Sequence, residues 1–191
     1  MPWSYSLGMP PIAGARLPLL FIEGSEAEEI SRNVSSVAVH VTRGRARAKV
    51  QIAGPLPDAD SLRVDAPATT LALMLTPDEE CFAGRLTAME ARMPPGARPS
   101  TVLLAVGHAP HGRPGPAVPL RFGVEIESGT VRRNRRGSRA KCISATPGLR
   151  WGSWVDLTTH DPPFDGSLHV VELWYRFDAV RGFSVEFVAE G

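Results

Sequence analysis

Apolar residues in this chain fall in short runs, many with a spacing of two, and most runs stop at a glycine or a proline. Val37, Val39 and Val41 alternate with Ala38 and His40, the period of a strand with one buried face. Arg43, Arg45, Arg47 and Lys49 then alternate with Gly44, Ala46 and Ala48, and Val50 and Ile52 follow before Gly54-Pro55. Read as one strand, that segment carries four positive charges on a single face. Further strands are predicted over residues 62–64, 69–75, 85–93, 101–106, 151–157 and 168–177. Phe122/Val124/Ile126 and Phe183/Val185/Phe187 add two more at period two. Short helical turns are expected at 25–30, with Ser25 as cap and Glu28 three residues on, and at 76–80, with Thr76 as cap and Pro77 in the first position. Residues 107–119, with four prolines, and the polar stretch 132–139 read as loops.

Eight to ten short strands without a long helix or an internal repeat point to an all-β protein. The expected architecture is a two-sheet antiparallel sandwich of jelly-roll type with short helical turns in its loops, an irregular barrel being the other way to close so many strands. Pro2, Pro10, Pro11 and Pro18 with several glycines make the start of the chain an extended arm. The expected division is an N-terminal arm over 1–33 and one domain over 34–191. A length of 191 residues and 20.6 kDa suits one domain that buries about 70% of its unfolded surface without a disulfide or metal staple.

Composition narrows the chemistry. Net charge is +1, so no global field draws the chain to nucleic acid or an anionic membrane. No run of about 20 apolar residues exists to span a bilayer, and the apolar stretch at 17–22 is too short for a signal peptide. Cys81 and Cys142 are too few for a zinc site and too far apart for a redox pair; the sequence leaves one disulfide open, and the favoured reading is two reduced, buried thiols. His108 and His111 share a loop that lacks a carboxylate or cysteine, and His160 beside Asp161 lacks a nucleophile in a suitable turn. Glu125 and Glu127 share a strand face, where solvated carboxylates outnumber catalytic pairs. The expectation is therefore no enzyme, no cofactor and no metal.

Two basic features remain. Arg132, Arg133, Arg135, Arg136, Arg139 and Lys141 place six positive charges within ten residues, without interleaved aromatics. That composition suits phosphate contact better than base stacking. Arg43, Arg45, Arg47 and Lys49 make the second candidate. Trp151 and Trp154 are an odd number apart and face opposite sides of a strand, and Trp174 lies in an apolar strand and reads as core.

From Arg85 onward the order of features resembles the jelly-roll coat proteins of small icosahedral positive-strand plant viruses, of tymovirus-like or bromovirus/cucumovirus-like type. The likeness rests on the strand 85–93, its Pro-rich turn, Pro99-Ser100-Thr101-Val102-Leu103-Leu104-Ala105-Val106, and the loop Gly107-His108-Ala109-Pro110. At the end, Trp154-Val155-Asp156-Leu157-Thr158-Thr159 and Leu168-His169-Val170-Val171-Glu172-Leu173-Trp174-Tyr175 are similar to the last two strands of that fold. The only basic residues among the first 33 are Arg16 and Arg32, which fits the tymovirus-like branch, whose coats lack the basic arm of the bromovirus-like ones. The resemblance implies a capsid subunit that self-assembles into an icosahedral virion in the host cytoplasm and packages viral RNA through the ten basic residues above, with no membrane partner. The alternatives are a non-catalytic sandwich module that recognises carbohydrate or a protein partner, and an enzyme on a cupin-like scaffold, for which His108, His111 and Glu125 are a poor metal set.

Overall fold

The computed structural model describes residues 18–56, 59, 62–76, 79–96, 98–112, 115–146 and 148–191. Its strands are β1 (Leu19–Ile22), β2 (Ser25–Glu26), β3 (Val34–Thr42), β4 (Arg45–Ala53), β5 (Thr70–Thr76), β6 (Glu79–Arg92), β7 (Ser100–His108), β8 (Val118–Arg121), β9 (Ile126–Asn134), β10 (Gly137–Ser144), β11 (Trp154–Thr158), β12 (Gly166–Asp178) and β13 (Gly182–Glu190). Among the described residues a short α-helix, α1 (Glu28–Arg32), and a 3-10 turn at Pro162–Phe164 accompany them.

Alternation sets the inward face of each strand. Val37, Val39 and Val41 of β3, Ala46, Ala48, Val50 and Ile52 of β4, and Val185, Phe187 and Ala189 of β13 are all buried. In β12 the parity changes along the strand. Leu168 and Val170 point inward at even positions, and Leu173, Tyr175 and Phe177 do so at odd ones. The change falls at a register shift between Val170 and Glu172, a bulge that keeps the apolar side of a long strand on the core. At this bulge the edge of β12 also changes partner. Residues 166–169 pair with β11 and residues 172–178 with β3.

The strands form one hydrogen-bonded sheet in the order β2-β1-β5-β6-β7-β4-β3-β12-β13-β10-β9, with β11 and β8 branching from β12. All pairs are antiparallel except β8 with β11. The inward residues from Leu20 in β1 to Ile126 in β9 and Ala140 in β10 form one core, so the sheet wraps around it. Two backbones approach closely at Gly84 and Gly107, which face each other across β6 and β7.

The all-β antiparallel expectation holds, and the two-sheet jelly roll is replaced by a single open sheet. Run lengths and turns are local properties, whereas the strand order depends on pairings such as β4 with β7 and β3 with β12, which no local pattern encodes. Local differences have physical reasons too. Residues 25–26 pair with β1, and α1 begins after Ala27 without a side-chain cap. Ser31, rather than Ser25, satisfies a backbone group, its hydroxyl accepting the Leu20 N–H at 2.9 Å. Glu79 and Glu80 open β6 instead of a helix. Residues 62–64 form no strand, and Phe122 to Ile126 closes a turn. The stretch 132–139, read as a loop, is the tip of the β9–β10 hairpin. Residues 1–17 of the expected arm lie outside the described residues, and Leu19–Ile22 is built into the sheet through β5.

Candidate functional site

The side chains on the outer face of the sheet follow from the register of β4, β3, β12, β13 and β10. Arg47 lies opposite His40, His40 opposite Trp174, Trp174 opposite Glu186, and Glu186 opposite Ile143. Burial of Val39, Tyr175 and Val185 beside them forces these residues outward.

A continuous polar and aromatic belt results. The His40 ring stacks on Trp174 with centroids 4.8 Å apart and planes 1° apart. His40 Nε2 lies 2.8 Å from Glu172 Oε1, to which the Thr42 hydroxyl also donates at 3.3 Å. Lys141 Nζ sits 5.8 Å over the Trp174 ring and 2.8 Å from Glu186 Oε1. Arg176 reaches the other oxygen of Glu186 at 3.0 Å, and Arg139 pairs with Glu190 at 3.0 Å. Partly exposed ion pairs of this kind contribute about 0–1 kcal/mol each. The larger consequence is register, because each pair links neighbouring strands or spans the strand between them. Glu172, Glu186 and Glu190 are each engaged by an imidazole or a cation.

Beside the belt lies an open recess lined by Thr42, Arg43, Trp151, His169, Glu172 and Glu190. Trp151 donates its ring N–H to the Val171 carbonyl at 3.1 Å, and its six-membered ring packs 3.5 Å from where a Cβ on Gly44 would stand. Trp154 is half exposed, with His169 edge-on at 5.3 Å.

The structure separates the sequence-predicted basic residues. Arg45, Arg47 and Lys49 are exposed along β4. Arg43 is not in line with them. It occupies the β3–β4 turn with φ of 49°. In the hairpin, Arg132, Arg139 and Lys141 share the outer face, Arg135 and Arg136 form the turn, and Arg133 donates to the Pro163 carbonyl at 2.8 Å. The two groups lie four strands apart, with Glu172, Glu186 and Glu190 between them. A polynucleotide track needs contiguous positive charge, and this interruption leaves RNA as a partner without support.

Two of the other candidates, His111 and Glu125, are engaged by neighbours. His111 packs edge-on against Trp151 at 4.6 Å with Nδ1 2.7 Å from the Gly112 carbonyl. Glu125 accepts from the Arg121 side chain and backbone, which holds its carboxyl below the usual range. Among the described residues, no three His, Cys, Asp or Glu side chains are grouped to hold a metal, and no helix is long and apolar enough to cross a membrane. Cys81 and Cys142 are free and buried. Burial pushes the Cys142 thiol up to about 12, and burial with nearby Glu79 raises that of Cys81 further.

Sequence reading missed the belt and assigned Trp174 to the core. The signal was present, since Trp174 stands between Leu173 and Tyr175 and a strand turns it away from both.

No family model matches the sequence, and no curated protein matches it. The fold does match solved structures. A tail protein from Neisseria meningitidis MC58 superposes with a TM-score of 0.65 at 9% identity, over 91% of this chain and 96% of that one. The 43 kDa tail protein of prophage MuSo2 from Shewanella oneidensis gives 0.61 at 6% identity, over 91% and 96%. The E. coli c3393 protein, a type VI secretion component with structural similarity to the T4 bacteriophage tail proteins gp27 and gp5, gives 0.62 at 8%, over 89% and 76%. At these identities the likeness is one of fold, and the fold is that of these tail and secretion proteins. It overturns the likeness to plant-virus coats. The icosahedral shell, RNA packaging and assembly of a virion in the host cytoplasm fall with it. The carbohydrate- or partner-recognising module gains no support from these neighbours either.

Proposed function

We propose that this chain is a structural subunit of a phage-tail-like or type VI secretion-like assembly, and that it works by associating with further copies of itself rather than by catalysis. The observation that carries this reading is the likeness of fold over 89–91% of the chain to two tail proteins and a type VI secretion component. Support for a building role comes from the outer belt, whose carboxylates are spent on ion pairs that fix strand register. A net charge of +1 also leaves little self-repulsion to oppose association.

Light scattering behind a sizing column, across a dilution series, tests the reading. The expected mass is a multiple of 20.6 kDa that falls on dilution. A mass equal to one chain at every concentration overturns it.

A further inference from the structure

The sheet is open, and its two ends carry opposite charge. At one end β1, β2 and α1 present Glu23, Glu26, Glu28 and Glu29, all exposed. Glu23 accepts the Thr70 N–H at 2.7 Å and Glu28 pairs with Arg32. Among the described residues, Glu26 and Glu29 have no ion-pair partner. At the other end the β9–β10 hairpin presents Arg132, Arg133, Arg135 and Arg136, also exposed. Arg133 is held to the Pro163 carbonyl. Arg132, Arg135 and Arg136 have no ion pair among the described residues.

The backbone differs between the ends as well. The β1 edge is covered by its own chain, because the Leu20 carbonyl accepts the Ala27 N–H at 2.8 Å and the Leu20 N–H goes to Ser31. In contrast, β9 has β10 on one side and no strand on the other among the described residues, and residues 127–130 are exposed. Edge strands of this length are sites of association unless charge protects them. Here β9 carries one exposed carboxylate, Glu127, near its start, while its hairpin end carries Arg132, Arg133, Arg135 and Arg136, and the unpaired carboxylates of β2 and α1 lie at the other end of the strand order.

We infer that copies of this chain associate head to tail, the basic β9–β10 end of one seated against the acidic β1–β2–α1 end of the next. The inference rests on the self-association proposed above and names its surface. Two like ends repel, which disfavours a two-fold pair through either end. A heterologous contact leaves one end of each sign on every growing assembly, and such contacts make rings where the rotation closes and filaments where it does not.

Three variants test this: R132E/R135E/R136E, E26R/E29R, and a chain that carries both sets. Every substituted side chain is exposed and outside the core, and far-UV circular dichroism checks that each variant folds. Mass is measured by light scattering at an ionic strength of about 10 mM, where the Debye length is about 30 Å. Each single-end variant is expected to lose assembled mass by about tenfold or more, since like charges then meet. An equal mixture of the two single-end variants, and the chain with both sets, are expected to regain it, because opposite charges meet again. Wild type that assembles while single-end variants assemble equally well overturns the head-to-tail surface and leaves self-association standing. Loss of assembly with no recovery in the mixture or the doubly reversed chain also overturns it. Wild type that stays a single chain overturns both.

Discussion

Gly107 faces Gly84 across β6 and β7 so closely that a Cβ on Gly107 would overlap the Ala83 carbonyl oxygen and the Gly84 backbone. Both are strand positions, so the requirement is for space between backbones. Gly107→Ala is therefore expected to destabilise the protein by about 2–3 kcal/mol, the upper range for overpacking a rigid site. Urea unfolding measures this, and an unchanged midpoint would show that the strands part without strain. Cys142 gives a pH dependence. Its thiol is pushed by burial from 9.0 up to about 12, so the folded chain keeps a proton that the unfolded chain releases. Stability is unaffected below pH 9 and falls as pH rises through the window from 9 to about 12. The buried Cys81 and Tyr175 act in the same direction. The thermal midpoint should decline above pH 9, less steeply in Cys142→Ala, and a flat profile there would contradict the burial. At this scale the sequence was readable wherever side-chain volume decides. It announced two buried thiols and the core valines of β3, yet nothing in Gly84 or Gly107 distinguishes a backbone contact from a turn glycine.

The β3–β4 hairpin turns on Arg43 and Gly44, both at positive φ, 49° and 74°. Glu23 and Gly24 repeat this between β1 and β2, at 50° and 77°. Such two-residue turns match the twist of the flanking strands and favour Asn-Gly. An arginine in this conformation is strained. Arg43→Asn is accordingly expected to stabilise the protein by about 0.5–1 kcal/mol in urea unfolding, and a loss of stability would mean that Arg43 makes a compensating contact. The sequence concealed this turn because the alternating arginines run straight through it. It concealed β9 for a different reason. Between Glu127 and Asn134 only Val131 offers an inward apolar group, and Gly129 occupies the place where any side chain would meet Cys142 Sγ. By contrast β4 was legible from its complete alternation, and β7 and β13 from apolar runs, in which Val102 with Leu103 and Phe187 with Val188 are buried side by side.

At the scale of the whole molecule, the all-β class could be read from the chain, but strand order could not, and the eight to ten strands expected fell short of the thirteen found among the described residues. The likeness to a coat protein read from Arg85 onward rested on run lengths and breaks alone, features that survive any change in which strands pair, and the fold overturns it. What sets this fold is the joining of β4 to β7 and of β3 to β12, contacts between residues far apart in sequence. The charge pattern behaves likewise, because the acidic residues 23–29 and the basic residues 132–136 fall at the two ends of the strand order only once that order is known. A near-neutral molecule with such ends is suited to repeated association with itself. Negative-stain electron microscopy of the concentrated protein in low salt tests this most directly. The account predicts rings or open-ended filaments, while closed isometric shells or isolated single chains would contradict it.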